Sequence, residues 1–172
     1  MNSIIKSNNI LDIYEDCKNL IDNNNNVILF LDIDDTVLSS KNGVKFVDKN
    51  IKLLINLIYN HDARKLYFLT ARDYDLKRKT LNCLNRAKIV HNGKYIYYNV
   101  IHSPYKIENN TFLPTKGETL IHFLDNTTLL SNDKPNYIIF VDDDIEQINC
   151  VNVSLRQYQA TNFINYQLYH YL

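Results

Sequence analysis

Three carboxylates crowd one short segment of the chain, directly after an apolar run at residues 27–31, and they are Asp32, Asp34 and Asp35. Carboxylates at the end of a buried strand repel one another and are poorly hydrated, so crowding them is costly. A divalent cation or a phosphoryl-transfer site offsets that cost, because hard cations take oxygen ligands. The segment that ends at Thr36 is therefore the first candidate for a functional site.

Polar residues follow two further apolar runs in the same way. Thr70 comes directly after residues 66–69, and Asp142 and Asp143 follow residues 137–141. In parallel sheets, ligands gather outside the carboxyl ends of the strands, so residues that follow the strands meet at one edge. The sequence predicts that these groups share one site with the first acidic segment.

The residue types at these positions suit phosphoryl transfer. Asp32 and Asp34 are two residues apart, and in extended backbone both point to the same side with Cα atoms roughly 6–7 Å apart. The acids would repel a phosphate group unless a hard cation such as Mg²⁺ intervened. Lys116 and the hydroxyl of Thr70 would contact phosphoryl oxygens. A nucleophile, a proton carrier, metal ligands and charge neutralisers together match a route through an aspartyl phosphate.

Taken in order, these motifs resemble motifs one to four of the haloacid dehalogenase superfamily of phosphohydrolases, over about residues 26–155. The resemblance implies that Asp32 is the nucleophile. It implies that Asp34 is the acid/base that protonates the leaving group and then activates water. It also implies that Thr70 and Lys116 hold the phosphoryl oxygens.

A bound Mg²⁺ is a further implication of the resemblance. The implied metal ligands are Asp32, Asp34 through its backbone carbonyl, Asp143, and Asp142 beside it. The superfamily often places another acid about four residues after a motif-four acid. Counted from Asp143 this position is Gln147, a poor metal ligand, whereas counted from Asp142 it is Glu146, which would fit. Asp144 extends the acidic run, and the sequence leaves its part in metal binding open.

Two subgroups of the superfamily share local sequence with the chain. The first motif and residues 69–72 resemble the class B, non-specific acid phosphatases, which are exported. Residues 115–120 together with 140–143 are closer to a poorly characterised subgroup from intracellular bacteria and large DNA viruses. Arg72 either clamps a substrate or pairs with a helical acid. Asp35 lies between the motif positions, which predicts a side chain directed away from the site.

Short apolar runs that alternate with helical periodicity predict an α/β protein. We expect a Rossmann-like three-layer α/β/α sandwich around a mostly parallel sheet, as a single domain over residues 1–172 with its core at about 26–155. The predicted strands lie at residues 27–31, 66–69, 95–102 and 137–141, with 151–155 as a further candidate. The predicted helices cover about residues 9–22, 51–58, 72–87 and 117–124.

The connections leave room for a small flap but for no large cap domain. Residues 37–48 are interpreted as the flap, because Asn42-Gly43 between short apolar stretches is typical of a hairpin. Residues 157–172 are interpreted as an aromatic tail, with helix as one interpretation. Its aromatic side chains either pack back on the core or dock a partner, and they are Phe163, Tyr166, Tyr169 and Tyr171.

Composition narrows the class of protein. The formal net charge is +0, so no sequence-wide basic field supports a nucleic-acid partner, although a local patch stays compatible with one. The three cysteines, Cys17, Cys83 and Cys150, are far apart and are interpreted as reduced thiols. The histidines have no metal-ligand spacing and receive no role. With no signal core and no membrane-spanning stretch, we expect a cytoplasmic protein, in the host cytoplasm if the source is viral.

The leading hypothesis is a Mg²⁺-dependent phosphomonoesterase that acts through Asp32 on a phosphorylated substrate whose class the sequence does not give. A second hypothesis is a phosphatase of nucleic-acid ends or phosphoproteins, because members of the haloacid dehalogenase superfamily that lack a cap domain often act on exposed phosphates. A basic groove towards Asp32 would favour nucleic-acid ends, and an acidic rim would count against them. A third hypothesis is a catalytically degenerate fold that only binds a partner, which Gln147 motivates. Oligomeric state is not predicted.

Overall fold

Strands and helices alternate along the chain in the computed structural model, which describes residues 4–39, 41, 45–88, 90–91, 94–95, 99–106, 112–126, 134–162 and 164–172. The strands are β1 (Ile4–Ser7), β2 (Val27–Leu31), β3 (Leu66–Thr70), β4 (Val90–His91), β5 (Lys94–Tyr95), β6 (Val100–His102), β7 (Tyr105–Lys106), β8 (Phe112–Leu113), β9 (Tyr137–Asp142) and β10 (Asn165–Tyr171). The α-helices are α1 (Ile10–Asp22), α2 (Ile51–Asp62), α3 (Lys77–Arg86), α4 (Lys116–Asn126) and α5 (Ile145–Asn162).

Six of these strands form one parallel sheet in the order β1-β10-β9-β2-β3-β6. Strand β2 lies at the centre, where Leu29 pairs with Leu66 on one side and Ile139 on the other. All strand pairs in this sheet are parallel, as the alternation of strands and helices predicts. The parallel α/β class is therefore confirmed.

The two faces of the sheet bury separate apolar clusters. Val27, Leu29 and Leu31 pack with α1 and α2, whereas Ile28 and Phe30 pack with α4 and α5. Successive side chains of a strand point to opposite faces, which is why β2 is a continuous apolar run with no exposed residue. Helices on both faces give the three-layer α/β/α arrangement expected from the sequence, and the described residues contain no separate cap domain.

Most predicted elements are present with shifted ends. Helix α1 begins after Asn9, whose side chain accepts a hydrogen bond from the backbone N–H of Leu11. Helix α3 begins later than predicted, because Asp73 caps a short 3₁₀ turn at Tyr74–Leu76. The single strand predicted at 95–102 is divided between β5 and β6, and residues 96–98 lie outside the described part of the chain.

The candidate strand at residues 151–155 is wrong, because these residues lie within α5. The run looked β-prone owing to its valines. The spacing of the buried residues is helical, since Ile148, Val151 and Leu155 are fully buried at intervals of three and four residues. Val153, which a strand would have placed beside them, is 58% exposed.

The helical interpretation of the tail is confirmed for residues 157–162, which end α5, and is wrong for the second half, which is strand β10, between β1 and β9. Tyr166 and Leu168 belong to one apolar cluster, while Tyr169 and Tyr171 belong to the other. The aromatic side chains of β10 therefore form part of the core rather than an exposed docking surface. Phe163 lies outside the described residues.

The flap is present in the part that the structure describes. Leu38 and Phe46 form an antiparallel bridge, and the Ser39 N–H donates to the Lys45 carbonyl at 2.9 Å. The predicted turn at Asn42-Gly43 is not among the described residues. Across the described chain, no helix is both long enough and apolar enough to span a membrane.

Candidate functional site

Most of the predicted site residues line an open cleft of about 320 Å³ at the carboxyl edge of the sheet. Asp32 directly follows β2, Asp142 ends β9, and Lys116 opens α4. Parallel neighbouring strands bring their carboxyl ends to the same edge, which explains why residues distant in sequence meet here. The cleft is lined by Asp32, Asp34, Asp35, Ala71, Arg72, Lys116, Asp142, Asp143, Asp144 and Gln147.

A buried lysine joins two of the carboxylates. Lys116 Nζ lies 2.5 Å from Asp32 Oδ1 and 2.7 Å from Asp142 Oδ2. All three side chains are at most 6% exposed. The structure thus brings Asp32, Lys116 and Asp142 together as the sequence predicts. Lys94 and Lys106 are two further lysines that the sequence offers for the same role, and their side chains lie outside the described set.

Burial shifts the titration of this cluster. Loss of solvation raises the pKa of Asp32 to about 7, with Asp142 and Asp143 adding to the rise and Lys116 opposing it. Burial likewise raises the pKa of Asp142 against the charge of Lys116. Burial favours the neutral amine of Lys116, but the two carboxylates outweigh it and raise its pKa. One lysine therefore does not fully offset the burial and mutual repulsion of the carboxylates, and a proton or an additional cation would stabilise the cluster.

Arg72 forms a bidentate ion pair with Asp34, the second acid of the first motif. Arg72 Nε donates to Asp34 Oδ2 at 2.7 Å, and Arg72 Nη2 donates to Asp34 Oδ1 at 2.6 Å. The hydrogen bonds to Asp34 raise the pKa of Arg72 above its ordinary range, which keeps the guanidinium charged. Of the two interpretations of Arg72, the structure gives the ion pair, although the acid belongs to the cleft and not to a helix.

Thr36 ties the first acidic segment to the third. Its hydroxyl donates to Asp143 Oδ1 at 3.1 Å and accepts the backbone N–H of Asp143 at 3.0 Å. Burial raises the pKa of Asp143, and the hydrogen bond from Thr36 opposes that rise. Thr36 lies in the turn at residues 35–37 and from there orients Asp143.

Three carboxylates offer oxygen atoms close enough to share one cation. One oxygen each from Asp32, Asp142 and Asp143 lies within 4.8 Å of the others. Asp144 differs from its neighbours, because its Oδ1 accepts the N–H of Glu146 and so caps the start of α5. The geometry therefore groups Asp142 and Asp143, rather than Asp144, with Asp32.

Four other positions that the sequence singled out differ in whether they line the cleft. Thr70 is fully buried at the end of β3, does not line the cleft, and accepts the Arg72 N–H at 3.2 Å. Gln147 lines the cleft, whereas Glu146 does not. Asp35 also lines it, which contrasts with the expectation of a side chain directed away from the site. A left-handed backbone with φ of 53° at Asp35 breaks the alternation on which that expectation depended.

His170 is a supporting residue that the sequence did not reveal. Its Nε2 lies 2.9 Å from the backbone carbonyl of Asp143, and the ring donates because a carbonyl can only accept. The residue lies in β10, which the sequence did not predict as a strand. Without that strand, nothing in the spacing of the histidines pointed towards the acidic cleft.

A family model described as "Protein of unknown function (DUF2608)" matches residues 40–172 of the chain. The match includes Thr70, Arg72, Lys116 and the acids that end β9, and it begins after Asp32 and Asp34. No curated protein and no solved structure matches the chain.

Proposed function

The chain belongs to the DUF2608 family, whose description names no activity, and we propose from the site itself that it is a Mg²⁺-dependent phosphomonoesterase resembling the haloacid dehalogenase superfamily. One observation carries the proposal. The buried carboxylate of Asp32 lies at a strand end, held by Lys116 and flanked by the acids that end β9. Structural ion pairs seldom need three acids to one lysine, whereas an aspartyl-phosphate site does.

The donor set fits Mg²⁺. Hard divalent cations prefer carboxylate and carbonyl oxygens, and the three grouped acids supply only such atoms. Asp32, Asp142 and Asp143 would hold the ion, with the backbone carbonyl of Asp34 as the further ligand that the superfamily resemblance implies. When bound, Mg²⁺ would neutralise phosphoryl charge and so let an anionic substrate enter an acidic cleft.

The residues divide the reaction between them. An oxygen of Asp32 attacks phosphorus, a P–O bond forms, and the bond to the leaving-group oxygen breaks while that oxygen takes a proton from Asp34. Asp34 then accepts a proton from water, whose oxygen attacks the aspartyl phosphate. Phosphate leaves and the Asp32 carboxylate is restored. Lys116, 2.5 Å from Asp32, would orient the attacking oxygen and neutralise an incoming phosphoryl oxygen.

The ion pair between Arg72 and Asp34 has to open before Asp34 can act as the acid in this reaction. Both carboxylate oxygens of Asp34 accept hydrogen bonds from Arg72. While both oxygens are held in this way, neither can pass a proton to a leaving group. We therefore expect the Arg72 guanidinium to turn from Asp34 towards the phosphoryl oxygens when substrate binds, which would make Arg72 a substrate-binding residue in the reacting complex.

The charge of the cleft favours a small substrate over nucleic-acid ends. Six carboxylates line it against two basic side chains, Arg72 and Lys116. A polyphosphate backbone needs a basic groove, and these lining residues do not offer one. A single phosphate monoester, neutralised locally by Mg²⁺, Lys116 and Arg72, fits this charge distribution better.

One observation favours a second candidate, a fold that binds phosphate or a partner without turnover. Gln147 lines the cleft at the position where the superfamily resemblance, counted from Asp143, implies a further acid, and Glu146 is exposed outside the lining. An amide is a weaker Mg²⁺ ligand than a carboxylate. Metal-dependent hydrolysis separates the two candidates directly.

The decisive variant is Asp32→Asn, which keeps the shape of the side chain and removes the nucleophilic charge. We expect hydrolysis of an aryl phosphate such as 4-nitrophenyl phosphate in the presence of Mg²⁺ to fall by roughly 10³-fold or more. Chelation of Mg²⁺ should abolish the activity of the unchanged protein. The measurement is steady-state release of the phenol.

Asp22→Asn is the matched control, because Asp22 lies at the exposed end of α1 with a side chain 61% exposed. Activity of that variant should equal that of the unchanged protein. The phosphatase proposal is overturned if Asp32→Asn keeps its activity or if hydrolysis does not depend on the metal. Binding of inorganic phosphate with no turnover would instead support the second candidate.

A further inference from the structure

A second pocket, of about 210 Å³, lies between the edge strand β6 and helix α4. Five ring side chains line it, and they are Tyr74, His102, Tyr105, His122 and Phe123. The volume is several times the roughly 30 Å³ that one water occupies in the liquid, so the pocket has room for a small ring. Its lining contrasts with that of the cleft, which is almost entirely charged.

The rings of this aromatic pocket lie at angles suited to holding a planar group. The ring centroids of Tyr105 and His122 are 5.3 Å apart with planes at 41°, and those of Tyr74 and His102 are 5.8 Å apart at 77°. Tyr74 and Tyr105 are 56% and 40% exposed, so they are accessible from solvent. Aromatic faces and edges bind flat rings better than branched aliphatic groups of the same area.

His102 supplies a polar atom that has no partner among the described residues. The side chain is 3% exposed, and Nδ1 lies 2.9 Å from the backbone carbonyl of Arg72. A carbonyl only accepts, so Nδ1 carries the hydrogen and Nε2 of the neutral ring is an acceptor. That acceptor is buried and has no hydrogen bond within the described chain. Leaving it unsatisfied is costly, so a small rotation of the ring towards the pocket would be favoured by a ligand that donates a hydrogen bond.

The aromatic pocket adjoins the acidic cleft through two short links. His102 pairs in register with Thr70 on the neighbouring strand, and its ring bonds to the backbone of Arg72, which lines the cleft. On α4, Thr119 lines the pocket one turn beyond Lys116, which lines the cleft. Neighbouring strands and successive helical turns are each about 5 Å apart. The two sites are therefore close enough for one small molecule to reach from one to the other.

We propose that the aromatic pocket binds the leaving group of a small phosphomonoester, a planar heteroaromatic ring that donates an N–H or O–H hydrogen bond to His102 Nε2. The inference rests on the proposed phosphatase function for its catalytic part. The ring packs against Tyr74, Tyr105 and His122 while the phosphate lies beside Asp32. The pocket then selects against aliphatic phosphates, which have no flat ring to pack against the aromatic side chains and no donor at the position that hydrogen-bonds to His102 Nε2.

Two variants test the pocket without touching the cleft. His102→Asn keeps an N–H donor where Nδ1 stands and removes the Nε2 acceptor. Tyr105→Ala removes one ring at a partly exposed position, and it keeps the test open if His102→Asn does not fold. Leu53→Ala, at a position 49% exposed on α2, is the control. Circular dichroism melts establish that each variant is folded.

The first measurement is binding of adenosine, which carries a donating amine and no phosphate, by ligand-observed saturation-transfer NMR. We expect binding to the unchanged protein, to Leu53→Ala and to Asp32→Asn with equal affinity, and binding about tenfold weaker to His102→Asn and Tyr105→Ala. Because adenosine has no phosphate, this result stands or falls independently of hydrolysis. The pocket assignment is overturned if adenosine does not bind or if it binds all variants equally.

The second measurement is kcat/KM for adenosine monophosphate and for glycerol phosphate, which has no ring. In both pocket variants we expect a loss of about tenfold for the first substrate, mostly in KM, and no change for the second. Equal losses on both substrates would assign these residues a structural role and overturn the proposal. If no phosphate ester is hydrolysed at all, the phosphatase function fails, and the adenosine measurement alone decides the pocket.

Discussion

Thr36 is the residue whose part in the site is easiest to isolate. Its hydroxyl satisfies both the N–H and one carboxylate oxygen of Asp143, and the side chain is fully buried. Thr36→Val preserves the shape and removes both hydrogen bonds. We expect a loss of about 1–3 kcal/mol in the free energy of unfolding, because the Asp143 N–H is left unsatisfied. Urea denaturation measures the loss.

Thr36→Ser is the matched control, since it keeps the hydroxyl and removes only a methyl group. It should retain most of the stability that the valine variant loses. The valine variant should also bind Mg²⁺ more weakly, because Asp143 is then free to rotate. If valine and serine destabilise the protein equally, packing of the methyl group rather than the hydroxyl is what matters at this position.

Asp62 provides a prediction about pH that does not involve the cleft. Partial burial raises the pKa of Asp62, but the hydrogen bonds from Arg64 and the charge of Lys65 outweigh it and lower that pKa to about 2. Its unfolded value is about 3.9. Since the folded value is the lower one, the group stabilises the protein above about pH 4, and this stabilisation is lost as pH falls towards 2. Screening by solvent limits it to about 1 kcal/mol.

Asp62→Asn should therefore lower the free energy of unfolding by about 1 kcal/mol at pH 6 and by progressively less below pH 4. Asparagine can still accept the N–H of Arg64, which donates to Asp62 at 2.9 Å, so the cap of the following 3₁₀ turn is kept. Urea titrations between pH 3 and 6 measure the difference, and exposed Asp22→Asn is the control. A difference that does not change with pH would contradict the prediction.

The sequence identified the site residues that lie directly at strand ends, together with Lys116, but it did not identify the acid that pairs with Arg72 or the contact of Thr36 with Asp143. Asp32 and Asp142 follow apolar runs, so the topology of a parallel sheet was enough to bring them together. The bidentate ion pair between Arg72 and Asp34 joins residues that are 38 positions apart in sequence. The hydrogen bonds between Thr36 and Asp143 join residues that are 107 positions apart. Such pairs depend on rotamers and on local backbone, which no periodicity encodes.

Helices α4 and α5 approach so closely at Gly117 that a side chain does not fit. A Cβ atom there would lie 2.4 Å from Ser154 Oγ and 2.7 Å from the Cys150 carbonyl. Alanine normally stabilises a helix by up to about 1 kcal/mol relative to glycine. Here we expect Gly117→Ala to destabilise the protein by about 1–3 kcal/mol, because the backbone of α5 cannot rotate away.

Lys116 precedes Gly117, so the same change should also displace the lysine from Asp32 and lower any activity. Gln157→Ala, on an exposed position of α5, is the control and should not lower the melting temperature. Thermal unfolding of both variants is the measurement. A melting temperature for Gly117→Ala at or above that of the unchanged protein would show that the two helices separate at little cost.

Helices and strands differed in how far the sequence revealed them. Helix α1 was predictable because its apolar residues recur at helical spacing and Asn9 caps its start. Strand β10 was not predictable in this way. It is buried on both faces and carries tyrosines on each of them, so its sequence shows no clear alternation of apolar and polar residues. The valines near 151 gave the opposite error, since local β-propensity is weaker than the packing of a helical face.

Strand β10 connects the stability of the sheet to the site, which leads to a prediction about the entire chain. It pairs with β1 on one side and β9 on the other, and its Tyr166, Leu168 and Tyr169 are fully buried. Each such side chain contributes roughly 1.5–3 kcal/mol, against a total stability of about 5–15 kcal/mol for a domain. A chain that ends at Asn162 should therefore lose cooperative folding, whereas removal of Leu172 alone, which is 66% exposed, should be tolerated.

Thermal melts and the dispersion of amide signals in NMR spectra measure whether the shortened chain still folds cooperatively. A cooperative melt and dispersed signals from the shorter chain would mean that β10 only covers a sheet already stable without it, and the contact of His170 with the Asp143 carbonyl would then be dispensable for the fold.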